Sequence, residues 1–271
     1  MNTIKKINDI LAWNPKTEVL VDSNGITDVK SVRRSDNGKL LGVVGKERFI
    51  ASNEAIVSPV VAMANALNIP IDNCKAYEVH NGASFRFRLP IEPLSIGEDN
   101  KCYINFSASH DSTVKHSFNL FVERLICANG MTAFVRKLGN FAKFAKNYEV
   151  NFGARFEGFE ESLKEQREEI EATYKSLRSK RVTAQKMKAV MDKVFTGNGK
   201  RTSNAREIAV ELFRSGKGNR GETGADLLNG ITEYFNHHRS YKETESVSRE
   251  ENRFLGIETI QFETLANLIL K

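Results

Sequence analysis

Polar and apolar residues alternate through much of the first half of this chain, whereas in the second half apolar residues return every three, four or seven positions. The first pattern belongs to strands and the second to amphipathic helices. A weak amphipathic start around Ile4, Ile7, Ile10 and Leu11 gives way to a polar stretch with turn signals at Asn24-Gly25 and Asn37-Gly38, so residues 1–38 read as a partly extended leader. Residues 40–52, rich in Leu and Val at their start, predict a strand kinked at Gly42 or Gly45. Asn53 then caps a helix carrying Ile56, Val57, Val60, Val61, Ala64 and Leu67. Beyond Asn81-Gly82, a two-residue hairpin signal, Phe85, Phe87 and Leu89 alternate with Arg86 and Arg88, which predicts a hairpin with one apolar and one open, basic face. Cys102, Ile104, Phe106 and Ala108 alternate with Tyr103, Asn105 and Ser107, and His110-Asp111-Ser112 is a turn into a further strand over 113–118. Phe121, Val122, Leu125 and Ile126 have helical spacing, broken at Asn129-Gly130 and resumed at Met131, Phe134 and Val135.

All five prolines fall within the first 93 residues, which leaves the rest of the chain free to build long helices. Phe156, Phe159, Leu163, Ile170, Tyr174 and Leu177 form one apolar stripe; Met187, Val190, Met191, Val194 and Phe195 form a second. Asn204 with Glu207 reads as the start of a third helix bearing Ile208, Leu212 and Phe213. After a glycine-rich loop over 215–224, Thr223 or Asp226 caps a helix with Leu227, Leu228, Ile231, Tyr234, Phe235 and His238 on one side, and Ile260, Leu265, Ala266 and Ile269 mark the last. The expected fold is α+β: a leader (1–38), a small, mostly antiparallel sheet with packed helices (39–150) and a helical region (151–271).

Charge changes this picture more than composition does. The net charge of +6 is uneven, being +1 over residues 1–135, +9 over 136–221 and −4 over 222–271. Residues 172–220 hold 13 basic and 3 acidic side chains. A solvated helical face accounts for such a block, and so does a footprint for a polyanion, because clustered Lys and Arg release counterions from a phosphate backbone. Arg136, Lys137, Lys143 and Lys146 interleave with Phe134, Phe141, Phe144, Tyr148 and Phe152, a combination that suits single-stranded nucleic acid, with cations for phosphates and rings for unstacked bases. Arg86, Arg88 and Lys115 on the sheet, Arg124 after it, and Lys217 and Arg220 in the late loop complete the candidate nucleic-acid-binding set.

Catalytic chemistry is harder to assemble. The glycine-rich loop lacks the spacing of a nucleotide-binding P-loop, and the histidines His110, His116, His237 and His238 match no metal-ligand spacing, so no metal and no cofactor are expected. Asp111 reads as a turn residue accepting backbone hydrogen bonds, and Cys127, in an apolar run, as a buried thiol. Three cysteines without a CxxC pair suit a reducing cytoplasm, and no stretch reads as a membrane span or a cleavable leader. No nucleophile, base and oxyanion donor come together, so an enzyme is not favoured; a nuclease using His110 and Asp111 ranks behind two binding roles.

Several ordered motifs resemble one family. Leu41-Gly42-Val43-Val44 with Phe49-Ile50 and Asn53-Glu54-Ala55, then Ser109-His110-Asp111-Ser112, then residues 123–130, and finally Asn219-Arg220-Gly221-Glu222-Thr223 with residues 229–237, are similar to the phage- and plasmid-associated domain of unknown function 932. The similarity runs over roughly residues 38 to 270, departing at Gly224-Ala225 and at Gly130. It implies a mobile-element protein in a bacterial cytoplasm, without a settled activity. The order of elements over 40–135 is also similar in outline to single-strand-annealing recombinases, which implies a homo-oligomer holding single-stranded DNA, with a phage or host replication or recombination protein as partner. The expected function is thus non-catalytic binding or annealing of single-stranded DNA. The alternative is a protein–protein interaction factor for host takeover or counter-defence that does not bind DNA.

Overall fold

The computed structural model describes residues 3–23, 25–96, 100–111, 113, 114, 116–124, 129–134, 159–239 and 262–271. Residues 3–23 and 25–38 are built into the fold rather than trailing. Helix α1 (Thr3–Leu11) buries Ile7 and Ile10, and strands β1 (Pro15–Asp22), β2 (Gly25–Arg34) and β3 (Leu40–Gly45) form a three-stranded antiparallel sheet in that order. Both Asn-Gly signals fall at its turns, where Gly25 and Gly38 take positive φ.

Helix α2 (Asn53–Ala66) starts one residue earlier than its sequence signal suggests. Ser52 is the cap, accepting from the Ala55 N–H at 3.1 Å, and Asn53 is wholly buried inside the first turn. The second sheet is an antiparallel meander of β4 (Lys75–Val79), β5 (Ser84–Ile91), β6 (Asn100–Ser109), β7 (Ser117–Arg124) and β8 (Asn129–Phe134). The β4–β5 hairpin turns through His80–Ala83, with Val79 opposite Ser84, so its loop has four residues rather than two; His80, Asn81 and Gly82 all take positive φ. Gly82 is required there, since a Cβ would lie 2.5 Å from the Trp13 ring.

Residues 117–124 and 129–134 are strands, not the helix that the spacing of Phe121, Val122, Leu125 and Ile126 suggests. Phe118, Leu120 and Val122 alternate, and register sets them opposite Phe106, Ile104 and Cys102, so the two-residue period governs. The core face of the sheet carries Phe85, Phe87, Leu89, Ile104, Phe106, Phe118 and Leu120, all essentially inaccessible, with the Phe106 and Phe118 rings 4.7 Å apart.

The helical half follows its apolar stripes. Helix α3 (Phe159–Ser179) buries Leu163, Ile170, Tyr174 and Leu177; α4 (Ala184–Val194) buries Val190 and Met191; α5 (Lys200–Ser215) buries Ala205, Ala209 and Phe213; α7 (Phe262–Leu270) buries Leu265, Ala266 and Ile269. Phe156 and Ile260 lie outside the described residues. Helix α5 begins after Gly199, a turn before the Asn204 signal. Between them runs α6 (Gly224–Glu233), whose ten residues are all buried, continued by one wide turn over Tyr234–His238.

One contiguous apolar core joins both halves. Polar contacts reinforce the junction: Arg167 donates to the carbonyls of Glu92 (2.6 Å) and Pro93 (2.7 Å), Arg178 donates to that of Ile96 (3.0 Å), and Glu171 accepts from the Ser95 N–H (2.7 Å).

Helices α5 and α6 approach closely at Gly230, where a Cβ would lie 2.6 Å from the backbone nitrogen of Phe213 on α5. Gly230→Ala is therefore expected to cost roughly 1–3 kcal/mol by forcing α5 and α6 apart, seen as a lower urea midpoint. Gly45→Ala, where a Cβ meets nothing within 4 Å, is the matched control.

Candidate nucleic-acid interface

The predicted basic residues divide three ways. Arg86 and Arg88 do share the face of β5 opposite the core, but that face is not open, because the two side chains are only 4% and 7% exposed. Register explains their company. Arg88 lies opposite Lys75 and Asn105, Arg86 lies opposite Tyr77 and Ser107, and the Arg88 guanidinium stands 3.9 Å above the Phe121 ring. Arg86 donates to the carbonyl of Phe85 at 2.9 Å. These guanidiniums are built into the sheet, and the expectation of an exposed basic groove along β5 is corrected.

Lys115, Arg136, Lys137, Lys143 and Lys146 lie outside the described residues, as do Phe141, Phe144, Tyr148, Phe152 and Cys127. Arg124 ends β7, its backbone in register with Asn100 and Asn129.

Lys217 and Arg220 lie in the exposed loop between α5 and α6, and the fold brings them three further cations that sequence reading left out of the candidate set. The segment after α3 pairs with the segment before α6: Val182 N–H donates to the Glu222 carbonyl at 2.9 Å and Gly224 N–H to that of Lys180 at 2.8 Å, with Arg181 bridged to Thr223. Lys180 and Arg181 thus lie beside residues 222–224. On the other side, Gly221 has positive φ and its missing Cβ would sit 3.0 Å from Cα of Arg214, so the loop folds back on the end of α5. Asn219 fixes this return by donating to the Leu212 carbonyl at 2.9 Å. Lys180, Arg181, Arg214, Lys217 and Arg220, all exposed, are gathered around one loop.

Two buried carboxylates stand in the same corner: Glu233, whose Oε2 would lie 2.7 Å from a Cβ at Gly216, and Asp226. Asp226 is buried and occupied, accepting from the N–H groups of Glu222 (3.1 Å) and Thr223 (2.9 Å) in a capping box whose other half is Asp226 N–H to Thr223 Oγ1 (3.2 Å). Glu222, and Glu211 one turn before Arg214 on α5, are exposed. The surrounding stretch, residues 180–220, carries 11 basic and 3 acidic side chains. One of these cations is structural: Arg206 donates to the Phe195 carbonyl at 2.6 Å and pairs with Asp192 at 3.4 Å.

The histidine of the nuclease reading is a core residue. His110 is 1% exposed, stacked edge-on against Trp13 and Phe85, with Nε2 2.7 Å from Asn53 Oδ1. The Asn53 amide nitrogen is already spent on the carbonyls of Ile10 (2.7 Å) and Trp13 (2.8 Å), so Oδ1 accepts and His110 carries its proton on Nε2. Among the described residues Nδ1 has no hydrogen-bond partner. Asp111 instead closes the turn, accepting from Thr113 N–H at 3.0 Å and its hydroxyl at 2.6 Å, as its sequence context predicts. Burial also raises the thiols of Cys74 and Cys102 to about 11, which removes them as nucleophiles.

An α+β protein with a basic corner on its helical half is the class that fold and surface define. The chain belongs to the family described as Domain of unknown function (DUF932), whose model matches residues 71–255, from the foot of the five-stranded sheet through the corner and beyond α6. No curated protein and no solved structure matches the chain. Among the described residues no helix is long and apolar enough to cross a membrane.

Burial lowers the pKa of His110 to about 4 and that of His116 to about 3. Both sit below the ordinary value near 6.5, so the folded protein binds fewer protons than the unfolded chain and stability is lost as pH falls from about 6.5 towards 4. For His110 this amounts to roughly 3 kcal/mol by pH 4. Urea midpoints measured between pH 7 and 4.5 should fall, and less steeply for His110→Gln, which keeps a donor for Asn53 without a titrating ring; an equal slope in the variant would contradict the assignment.

Proposed function

We propose that this chain is a non-catalytic nucleic-acid-binding protein that holds a phosphate backbone at the corner formed by Lys180, Arg181, Arg214, Lys217 and Arg220. The observation that carries the reading is the convergence of five exposed cations from three separate parts of the chain on one loop. Isolated surface lysines are ordinary, but a cluster spaced for successive phosphates gains from counterion release at each contact. The ligand we assign is single-stranded DNA, on the strength of the cations interleaved with aromatic residues over 134–152, and the setting is replication or recombination of a phage or plasmid. The burial of His110 argues against its use in hydrolysis, which leaves holding or annealing strands as the role.

Fluorescence anisotropy against single- and double-stranded DNA across a salt series tests this. Five phosphate contacts imply a slope of log K against log salt of about −3.5 for a single strand and about −4.5 for a duplex. Arg181→Glu, Arg214→Glu and Arg220→Glu combined should weaken binding at least about 30-fold and flatten that slope, whereas Arg88→Gln should leave the slope unchanged. Salt-independent binding, or binding untouched by the triple reversal, would reject the corner; tighter binding of duplex would reject the single-strand assignment alone.

A further inference from the structure

The far end of the β1–β2 hairpin is unlike the rest of the molecule. None of the eight residues of β1 is buried, and neither are the first six of β2. Val19, Val21 and Ile26 are 37%, 70% and 72% exposed, and β1 forms one free edge of its sheet. A two-stranded ribbon is barely stable alone, and an extended edge with exposed valines and no proline beyond its first residue is a template for another strand. The opposite edge, β3, is shorter and carries two glycines, one of them, Gly42, pressed against Asp111. Residues 15–45 also precede the segment matched by the family model.

We infer that β1 is where a second copy of this chain docks, edge to edge and antiparallel, about a two-fold axis at Val19. The self-complementarity of the strand selects both the partner and the register. In a two-fold antiparallel pair each residue i faces a fixed opposite number, so the axis passes through a residue. With the axis at Glu18 that carboxylate faces its own copy; with the axis at Leu20, Glu18 faces Asp22. An axis at Thr17 pairs Lys16 with Glu18 but leaves Val21 uncovered. Centred on Val19, seven residues pair, Lys16 faces the partner's Asp22 at both ends, Val19 meets Val19, and Thr17 meets Val21, itself beside Ile26. The two three-stranded sheets become one of six strands. This interface is independent of the basic corner and is tested without nucleic acid.

Light scattering of the full-length chain on elution, repeated over concentration, reads the assembly directly. A dimer is expected. Val19→Lys, which sets two ammonium groups on the axis, should leave a monomer with an unchanged circular dichroism spectrum. Lys16→Asp or Asp22→Lys alone should raise the dissociation constant about tenfold, because each places like charges opposite twice, and the two together should restore it. All three sites are exposed, so the variants fold. A protein monomeric up to roughly 100 μM, or an assembly indifferent to Val19→Lys and to the charge exchange, overturns the inference.

Discussion

The N-terminal half is held in place by one buried amide. Asn53 is fully enclosed, and its side chain joins three segments far apart in sequence: it donates to Ile10 and Trp13 at the end of α1 and accepts from His110 at the turn after β6, while its own N–H is taken by Asn14 at 3.0 Å. An amide buried in this way is costly unless every lone pair and proton is used, and here both donors and the carbonyl are. Arg34 completes the arrangement from the opposite side. It lies 4.0 Å over the Trp13 ring, pairs with Glu78, and donates to the Asn81 carbonyl at 3.0 Å, tying the first sheet to the hairpin of the second.

Several residues that carry the family resemblance therefore have an architectural reason to be what they are. Asn53 and His110 are the two sides of one hydrogen bond. Gly230 admits the backbone of α5, Asn229 accepts from the buried Tyr174 hydroxyl at 3.3 Å, and Asn236 donates to the Thr232 carbonyl at 2.6 Å. A polar residue inside a core specifies a geometry that an apolar one would leave open, so motifs of this kind mark a fold before they mark an activity.

What was legible in the sequence was whatever repeated apolar positions at a fixed period. Cys102 to Ala108 and Leu163 to Leu177 show their periods plainly and were read as the strand and the helix they are. The β1–β2 hairpin escaped because it has no dry face to produce a period, and Phe121 misled because β7 presents apolar residues on both faces, Phe121 towards Arg88 and Phe118, Leu120 and Val122 towards the core. The same two-sided burial hides Arg86 and Arg88. Lys217 and Arg220 were visible as a pair, but their neighbours Lys180 and Arg181 arrive by a two-residue bridge between segments about 40 positions apart, and no local pattern encodes such a bridge.

That bridge also couples surface to interior. The strip that carries Arg181 is bonded to the strip that opens α6, and all ten residues of α6 are buried. On the proposed reading, a polyanion held at the corner would contact the segments after α3, at the end of α5 and before α6 together, so its free energy of association would add to the work of pulling the helical half apart. Surface and interior are linked there by chain connectivity and two backbone hydrogen bonds, Val182 N–H to Glu222 and Gly224 N–H to Lys180.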